Sequence, residues 1–392
     1  MYSKTNQFSL NEDQKAVLDT ANQFAKKELY PHAEKMDNEE WWPDGIFKKM
    51  GDAGLIGLTV DPKLGGAGMS YMQAGLVCQA FGRWNHAIAL SWAAHDNLCL
   101  DNIFRNGSDY IREKFVPGLC SGDLIGALGL TEPGAGSDAL GSMRTTARKE
   151  GDYYILNGSK TYITNGSIAD IILVYAKTNL NNKNKGISSF VIETKNPGFK
   201  VVSKLKKMGY RGSQTSELFF DNFKVPVKNM IGKEGQGHIT VMNGLDFERA
   251  MIAPIALGIS ERALELSIEY AKIREQFGKP ISNFQMIQSK IADMYTSVQS
   301  IKALVYSVLA ECDSTEKKEA GKGKIHMNTS ASVMFASTTT NKILDDAVQI
   351  HGGMGYMWES EINRLYRSSK LLDIGAGTTE IRKKIIGEGL LE

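Results

Sequence analysis

Glu248 is a carboxylate on an otherwise apolar stripe of a predicted helix. If residues 242–253 are helical, the side chains beside Glu248 come from positions three and four residues away. None of these can pair with a carboxylate, since they are Gly244, Leu245, Met251 and Ile252. Burial without a partner raises the pKa of a carboxyl group above its usual value of about 4.3, which suits a base that removes a proton from a substrate. The local sequence equally allows a structural ion pair with a cation from another segment.

The residue after Glu248 carries the opposite charge and has a partner within reach. Arg249 follows Asp246 by three positions, which is the spacing of an ion pair along one helix. We expect an ordinary surface salt bridge between these two side chains.

Three glycine-rich segments could bring backbone amides close to a ligand. They read TEPGAGSD at 131–138, QIHGGMGY at 349–356 and IGAGTTEI at 374–381. Glycine lets the chain approach a phosphate or an oxyanion closely, and helix ends offer free N–H groups. Tight structural loops have the same composition, so both interpretations stand for each segment. His351, beside two of the glycines, is more typical of a structural histidine.

Several well-known site types are missing from the sequence. It contains no GxxxxGK[ST], no HExxH, and no GxGxxG at the head of a βαβ unit. The four cysteines lie far apart, without a CxxC pair or a histidine at ligand spacing; they are Cys78, Cys99, Cys120 and Cys312. We therefore expect buried free thiols in a reducing compartment and no metal site.

Three regions that differ in the periodicity of their apolar residues must position these residues. Residues 1–125 have helical periodicity and begin with a predicted helix cap formed by Asn11 and Gln14. Residues 126–236 alternate short apolar runs with turn residues, which predicts strands rather than βαβ units. Residues 237–392 return to helical periodicity. The predicted fold class is α+β, with an N-terminal all-α domain, a middle antiparallel β domain and a C-terminal helical bundle.

Individual elements can also be predicted. The expected strands are 153–156, 171–175, 189–192 and 218–225, and Asn157-Gly158 predicts a hairpin turn after the first of them. Long helices are expected from about Gly244 to Phe277, Phe284 to Cys312 and Ile325 to Gln349. Polar composition predicts a loop at 181–185 and a solvated connection at 313–324.

Charge and hydropathy restrict the possible partners. The chain has 392 residues and a net charge of +2, from 46 basic and 44 acidic residues without a charged block. Nucleic acid and anionic membranes are therefore poor candidates. No window approaches the roughly 18 apolar residues that span a bilayer, and the N-terminus has neither a secretory h-region nor an Arg-rich presequence. We expect a cytoplasmic protein, or one of the mitochondrial matrix if the chain is a mature eukaryotic one.

Five motifs in order resemble the acyl-CoA dehydrogenase family. They are TEPGAGSD at 131–138, YITNG at 162–166, REQFGKPI at 274–281 with FQ at 284–285, QIHGGMGY at 349–356 and GAGTTEIRK at 375–383. The resemblance runs from Leu10 to Leu391. It implies a homotetrameric enzyme that uses FAD to oxidise acyl-CoA thioesters and passes the electrons to electron-transfer flavoprotein.

The resemblance also implies roles for individual residues. Those that would hold the flavin ring are Leu128, Leu130, Thr131, Gly136, Ser137, Tyr162, Thr164, Thr378 and Glu380. Those that would reach the FAD adenosine and pyrophosphate of a neighbouring subunit are Arg274, Phe277, Gln285, Gln349 and Gly353. Substrate contacts are implied for Ser137, Asp246, Arg249, Gly375 and Gly377, and the backbone amide of Ala376 would bind the thioester oxygen. An arginine suits pyrophosphate because its guanidinium can form two parallel hydrogen bonds to phosphate oxygens. Without such a ligand, a lone Arg274 in a helix would be interpreted as a solvated charge.

The chain departs from the commonest family pattern at Ala376, where many members carry a catalytic glutamate. Glu248, within LDFER at 245–249, instead resembles the base of a branch that places it on an earlier helix. Helix spacing and resemblance therefore agree on Glu248 as the base. The segments 94–99, 105–107 and 153–158 favour a short branched acyl group such as isovaleryl, and hence leucine breakdown. The alternatives are a medium- or long-chain dehydrogenase, an acyl-CoA oxidase and, more remotely, a non-catalytic DNA-binding relative.

Overall fold

The computed structural model describes residues 10–182, 186–315 and 323–391. Parts of the predicted loop at 181–185 and of the predicted connection at 313–324 lie outside these residues. Asp313 itself is helical, and its carboxylate accepts hydrogen bonds from the backbone of Tyr71 and Met72 at 2.5 and 3.2 Å. That end of the predicted connection is therefore part of a helix that packs on the N-terminal region.

The N-terminal region is helical. Asn11 caps the first helix as predicted, because its Oδ1 accepts from the Gln14 amide at 2.8 Å and its own amide donates to Gln14 Oε1 at 3.0 Å. The helices are α1 (Glu12–Phe24), α2 (Ala33–Glu39), α3 (Ile46–Asp52), α4 (Tyr71–Ala93), α5 (Asn102–Asn106) and α6 (Asp109–Cys120). Shorter turns of π-helix occupy Ala25–Leu29 and Ala94–Asp101, and 3₁₀ turns occupy Tyr30–His32 and Pro62–Leu64.

The middle region is one mostly antiparallel sheet. Its strands are β1 (Gly126–Gly129), β2 (Thr146–Glu150), β3 (Tyr153–Thr164), β4 (Ile171–Lys177), β5 (Ile187–Glu193), β6 (Phe199–Lys204), β7 (Thr215–Pro226) and β8 (Met230–Ile231). The order is β6-β7-β3-β2-β4-β5-β8, and β1 pairs with β4 in parallel. This architecture confirms the predicted β domain between two helical regions.

Strand β4 is buried on both faces of the sheet. Leu173 and Tyr175 pack into the core shared with the helices, whereas Ile172 and Val174 pack into a second core on the opposite face. This arrangement explains the unbroken apolar run of β4, since a strand with only one buried face would alternate apolar and polar residues.

The hairpin turn predicted at Asn157-Gly158 is wrong. Strand β3 continues through both residues, and the turn lies earlier, at Gly151-Asp152 between β2 and β3. The register between β3 and β7 shifts from Leu156 to Gly158, which marks a bulge. A Cβ on Gly158 would lie 2.6 Å from Thr145 Oγ1, so the glycine serves a close approach within the sheet rather than a turn.

The C-terminal region is a helical bundle. Its helices are α7 (Gly237–Ile273), α8 (Gln285–Ser314), α9 (Gly323–His351), α10 (Gly353–Tyr356), α11 (Glu361–Ser369) and α12 (Thr379–Leu391). A small hairpin follows α7, formed by β9 (Glu275–Gln276) and β10 (Lys279–Pro280), and 3₁₀ turns occupy Val227–Asn229, Ile281–Asn283 and Lys370–Asp373. Among the described residues, no helix combines the length and apolarity that a membrane crossing requires.

The first long helix ends earlier than predicted. Phe277 and Gly278 have φ values of 53° and 76°, which are incompatible with a continuing α-helix, so both lie at the tip of the hairpin. Arg274 is therefore not helical but is the extended residue that ends α7.

Close packing of α4 against α7 joins the N-terminal region to the bundle. A Cβ on Gly258 would lie 2.1 Å from the carbonyl oxygen of Gln79, so only glycine allows the two backbones to come this near. The crossing fixes the position of α7, the helix that carries Glu248.

Candidate active site

Glu248 lies on α7, and its neighbour in sequence fixes the rotation of that helix. Phe247 stacks on Tyr71 with 4.4 Å between ring centroids, and the Arg105 guanidinium lies 4.5 Å from the same ring. Arg105 is itself paired with Asp101 at 2.7 Å. The α7 face that carries Phe247 is thereby held against the N-terminal region, and Glu248 projects from a different side of the helix.

Glu248 has an unusual electrostatic environment. Burial raises its pKa to about 7, while the positive charges of Arg249 and Arg382 act in the opposite direction. Neither arginine forms an ion pair with it, and the described residues give its carboxylate no hydrogen bond. The charge of Glu248 also contributes to raising the pKa of Tyr175 on β4, so Glu248 lies where the bundle meets the sheet. A half-buried carboxylate of this kind is available to exchange a proton.

The ion pair predicted between Asp246 and Arg249 is present but buried. The two side chains are 3.3 Å apart and only 1% and 3% exposed, so its predicted surface location is wrong. Helix α9 and the loop before α12 cover this face of α7, as the bonds to His326 and Ala376 show. His326 Nδ1 lies 2.5 Å from Asp246 Oδ1, and Arg249 Nε donates to the carbonyl oxygen of Ala376 at 3.2 Å. Both residues implied as substrate contacts thus have partners inside the protein.

The loop before α12 exposes an amide in a strained backbone. Ala376 and Gly377 have φ values of 57° and 88°, and the first is an uncommon conformation for a residue with a Cβ. Arg382 Nη2 donates to the carbonyl oxygen of Gly375 at 2.5 Å. In the described part of the chain, the N–H of Ala376 has no acceptor. A free N–H on a loop held through its carbonyls is what an oxyanion site requires.

The loop at 131–138 is anchored on one side and open on the other. The buried carboxylate of Glu132 accepts from Lys160 Nζ at 2.8 Å and from the amides of Arg144 and Thr145 at 2.6 and 3.0 Å. By contrast, Ser137 is exposed, and a Cβ on Gly136 would meet nothing within 4 Å. The outer side of the loop can therefore receive a ligand while the inner side stays fixed.

Tyr162 stands out at the end of β3. Its ring is 70% exposed and its φ is 59°, at a second register shift between β3 and β7. An exposed aromatic ring on strained backbone offers a flat apolar surface to a planar ligand. Four other residues expected at the flavin ring, on β1, on the loop after it and at the end of β3, are half-buried or buried; they are Leu128, Leu130, Thr131 and Thr164.

Thr378 directly precedes α12, and Glu380 lies in the first turn of that helix. The hydroxyl of Thr378 accepts from the amide of Ile381 at 3.4 Å. Hydrogen bonds from its own backbone amide and from Thr378 lower the pKa of Glu380, whose side chain is exposed. They follow the Ala376 loop directly, so a ligand on that loop would also meet the first turn of α12.

A second group of predicted cofactor residues lies on the outside of the bundle. Phe277 is 92% exposed, and the other four members are exposed as well; they are Arg274, Gln285, Gln349 and Gly353. None of the five forms a hydrogen bond or ion pair with Glu248 or the 375–377 loop within the described residues. His351, in the same motif, bonds the Ala347 carbonyl at 2.7 Å and stacks on Tyr270, as its structural interpretation expects.

Sequence reasoning missed three residues of the site. Lys160 had a usable signal, because it shares the inward phase of β3 with Tyr154 and Leu156. Arg382 lies within the motif at 375–383, but neither its spacing nor the family resemblance predicted a role for it. Tyr175 gave no signal, since its position near Glu248 depends on packing between distant segments.

The sequence matches three domains of one protein family. Residues 11–123 match the acyl-CoA dehydrogenase N-terminal domain, residues 127–223 the middle domain and residues 235–391 the C-terminal domain. The chain is 40% identical to the mitochondrial isovaleryl-CoA dehydrogenase of Oryza sativa subsp. japonica, covering 100% of this chain and 94% of that protein. It is also 40% identical to the mitochondrial 2-methylacyl-CoA dehydrogenase of Solanum tuberosum, covering 98% and 92%.

The chain is also similar to solved structures over nearly its whole length. The butyryl-CoA dehydrogenase of Megasphaera elsdenii superposes with a TM-score of 0.93 at 36% identity, covering 98% of this chain and 99% of that one. An FAD complex of PigA superposes with a TM-score of 0.91 at 30% identity, covering 97% and 98%. The predicted three-region fold is confirmed by these similarities.

Proposed function

The chain belongs to the acyl-CoA dehydrogenase family, and from this premise we propose that it dehydrogenates a short branched-chain acyl-CoA, with isovaleryl-CoA favoured. As a family member it is an FAD-dependent oxidoreductase that acts on acyl-CoA. The proposed reaction removes hydrogen from the α- and β-carbons and yields the 2-enoyl-CoA. The electrons pass to electron-transfer flavoprotein, and the chain works as a homotetramer in the cytoplasm, or in the matrix of a mitochondrion.

One observation carries the proposed mechanism: the unpaired Glu248 carboxylate, with a pKa raised to about 7, on the helix that also bonds the Ala376 loop. The α-hydrogen of a thioester is weakly acidic, so a carboxylate removes it only if the carbonyl oxygen is stabilised as charge develops. Glu248 takes the α-proton, and the free N–H of Ala376 donates to that oxygen. The acceptor for the hydride of the β-carbon would be supplied by bound FAD, since no side chain accepts hydride.

The residues present fit a flavin. The open side of Gly136 leaves room for a ring system, Tyr162 offers an exposed aromatic surface, and both lie on segments that Glu132 and Lys160 hold together. In our proposal Leu128, Leu130, Thr131, Ser137, Thr164, Thr378 and Glu380 complete this site, while Gly375 and Gly377 lie beside the thioester. The exposed group around Arg274 and Phe277 is proposed to reach the FAD of a neighbouring subunit.

The substrate is tested by a panel of acyl-CoAs under anaerobic conditions. Isovaleryl, 2-methylbutyryl, isobutyryl, butyryl, octanoyl and palmitoyl thioesters are ranked by the kcat/KM of flavin bleaching. We expect isovaleryl-CoA first; a 2-methyl-branched or a long straight chain in first place would overturn that choice. The 2-methylacyl-CoA dehydrogenase at equal identity makes the branched comparison necessary. Peroxide formed in step with substrate loss would assign an oxidase instead.

Reduction of the enzyme by its substrate should depend on pH. Because Glu248 must be ionised to accept a proton, kcat/KM for flavin reduction should fall about tenfold per pH unit below its pKa. Burial raises that pKa to about 7, so the loss should begin near neutrality rather than near pH 4. Anaerobic stopped-flow measurements across this range test the prediction, and a rate that stays level down to about pH 5 contradicts it.

Arg274 should control retention of FAD. Loss of a charge-assisted contact to phosphate costs about 1.5–3 kcal/mol, so Arg274→Ala should weaken FAD binding about 10- to 100-fold. Lys272→Ala is the matched control, since Lys272 is an exposed cation two residues earlier. Equilibrium dialysis and the flavin-to-protein absorbance ratio after gel filtration measure the effect. Equal FAD retention in the two variants would remove Arg274 from the proposed cofactor site.

A further inference from the structure

The peptide unit that joins Gly375 to Ala376 is held at its carbonyl end by a buried arginine. Arg382 is fully buried in the first turn of α12, and its Nη2 donates to the Gly375 carbonyl at 2.5 Å. The N–H of Ala376 belongs to the same planar unit and points the opposite way, because a trans peptide sets its C=O and N–H antiparallel. Arg382 therefore fixes the direction of that N–H without touching it.

We propose that Arg382 is a positioning residue that aims the Ala376 N–H at the substrate's thioester oxygen. This inference rests on the proposed function, because it gives the Ala376 amide an oxyanion to bind. It deepens that proposal by naming what holds the amide in place. Arg382 has no contact with the substrate in this role and is not a catalytic residue.

The next peptide unit is held in a parallel way. Arg249 Nε donates to the carbonyl oxygen of Ala376 at 3.2 Å, and Arg249 is held in turn by Asp246. Two arginines from different helices thus donate hydrogen bonds to the carbonyl oxygens of two successive peptide units. Ala376 has a φ of 57°, and such a conformation persists only where the surroundings enforce it. Without these bonds the loop is free to relax toward ordinary backbone angles.

The charges around Arg382 show that this arrangement is costly for stability. Burial and the nearby positive charge of Arg249 lower the pKa of Arg382 to about 10, and Asp373 and Glu248 offset this only in part. Its Nε is buried without a hydrogen-bond partner among the described residues. A buried guanidinium with an unsatisfied N–H destabilises a fold, so its presence here points to a role other than stability. Two positive groups behind the amide also favour negative charge on a bound oxygen.

Three variants of the FAD-loaded enzyme test the proposal. Arg382→Met removes the grip, Arg382→Lys keeps a charged donor that reaches one bond less far, and Lys383→Met removes an exposed cation from the adjacent position. Each is assayed for kcat and KM with the preferred acyl-CoA. Each is also titrated with an acyl-CoA that has sulfur in place of the β-carbon. This analogue can lose the α-proton but cannot give hydride, so its charge-transfer absorbance reports enolate stabilisation without turnover.

We expect Arg382→Met to lower kcat about 100-fold, the effect of losing one oxyanion donor, with KM changed less than about threefold. Its charge-transfer absorbance should fall in parallel, while Arg382→Lys recovers most of both and Lys383→Met matches wild type. A kcat for Arg382→Met within about threefold of wild type overturns the proposal. If Arg382→Met does not fold, Arg382→Lys decides, because its shorter reach should still lower kcat several-fold; equality with Lys383→Met overturns the proposal. A wild type that oxidises no acyl-CoA overturns the proposed function itself.

Discussion

Glu248→Gln should lower kcat about 10³- to 10⁴-fold, the upper part of the range for a general base, while FAD and acyl-CoA still bind. Glutamine keeps the size and polarity of the side chain but cannot accept the α-proton. The described residues make no hydrogen bond or ion pair to Glu248, so the change leaves no buried partner unsatisfied. The loss should therefore be confined to chemistry.

The control for this variant lies on the same helix. Glu269→Gln changes an exposed glutamate of α7 and should leave kcat within about twofold of wild type. The analogue with sulfur at the β-position adds a second measurement, since Glu248→Gln should bind it without forming the charge-transfer absorbance. Turnover above about a tenth of the wild-type rate would show that another group takes the proton.

Lys160→Met should destabilise the protein by about 3–5 kcal/mol, because it leaves the Glu132 carboxylate buried without its counter-charge. Lys160 is fully buried, and burial lowers its pKa to about 8 although Glu132 acts to raise it. Lys160 also donates to the carbonyl oxygen of Leu130 at 3.0 Å, so the loop at 131–138 loses two anchors at once. Denaturant midpoint, apparent Tm and the fraction of bound FAD should all fall.

Two further variants separate an uncompensated charge from general damage. Lys160→Met combined with Glu132→Gln should recover part of the stability, since glutamine carries no charge and its single oxygen still accepts from one of the two amides that bond Glu132, those of Arg144 and Thr145. Lys15→Met breaks an exposed pair with Glu12 at 2.8 Å and should leave the denaturant midpoint close to that of the wild type, because solvent screens such a pair. A double variant no more stable than Lys160→Met would contradict the electrostatic explanation.

Elements that depend on local pattern could be predicted from the sequence. The cap at Asn11 and the apolar run of β4 use information within a few residues, and both are present. Asn157-Gly158 shows where this fails, because the same dipeptide suits a tight turn and a bulge. The choice between them depends on Thr145, which directly precedes β2 and approaches Gly158 across the sheet.

The site was predictable to a smaller extent. The absence of a local partner for Glu248 followed from helical spacing, but the burial of Asp246 and Arg249 did not. That burial depends on His326 and Ala376, which lie 80 and 127 positions along the chain from their respective partners. The role proposed for Arg382 likewise depends on which way one peptide plane faces, and no sequence pattern encodes that direction.

The two-sided burial of β4 has a consequence for biosynthesis. Leu173 and Tyr175 belong to a core that also contains Ile103 from α5 and Leu257 from α7. When the ribosome has completed the sheet, the helices that share this core from the C-terminal side have not yet emerged. A nascent chain halted after residue 236 would therefore display an apolar surface of the kind that chaperones bind. The core on this face of β4 is complete only once α7 has been translated.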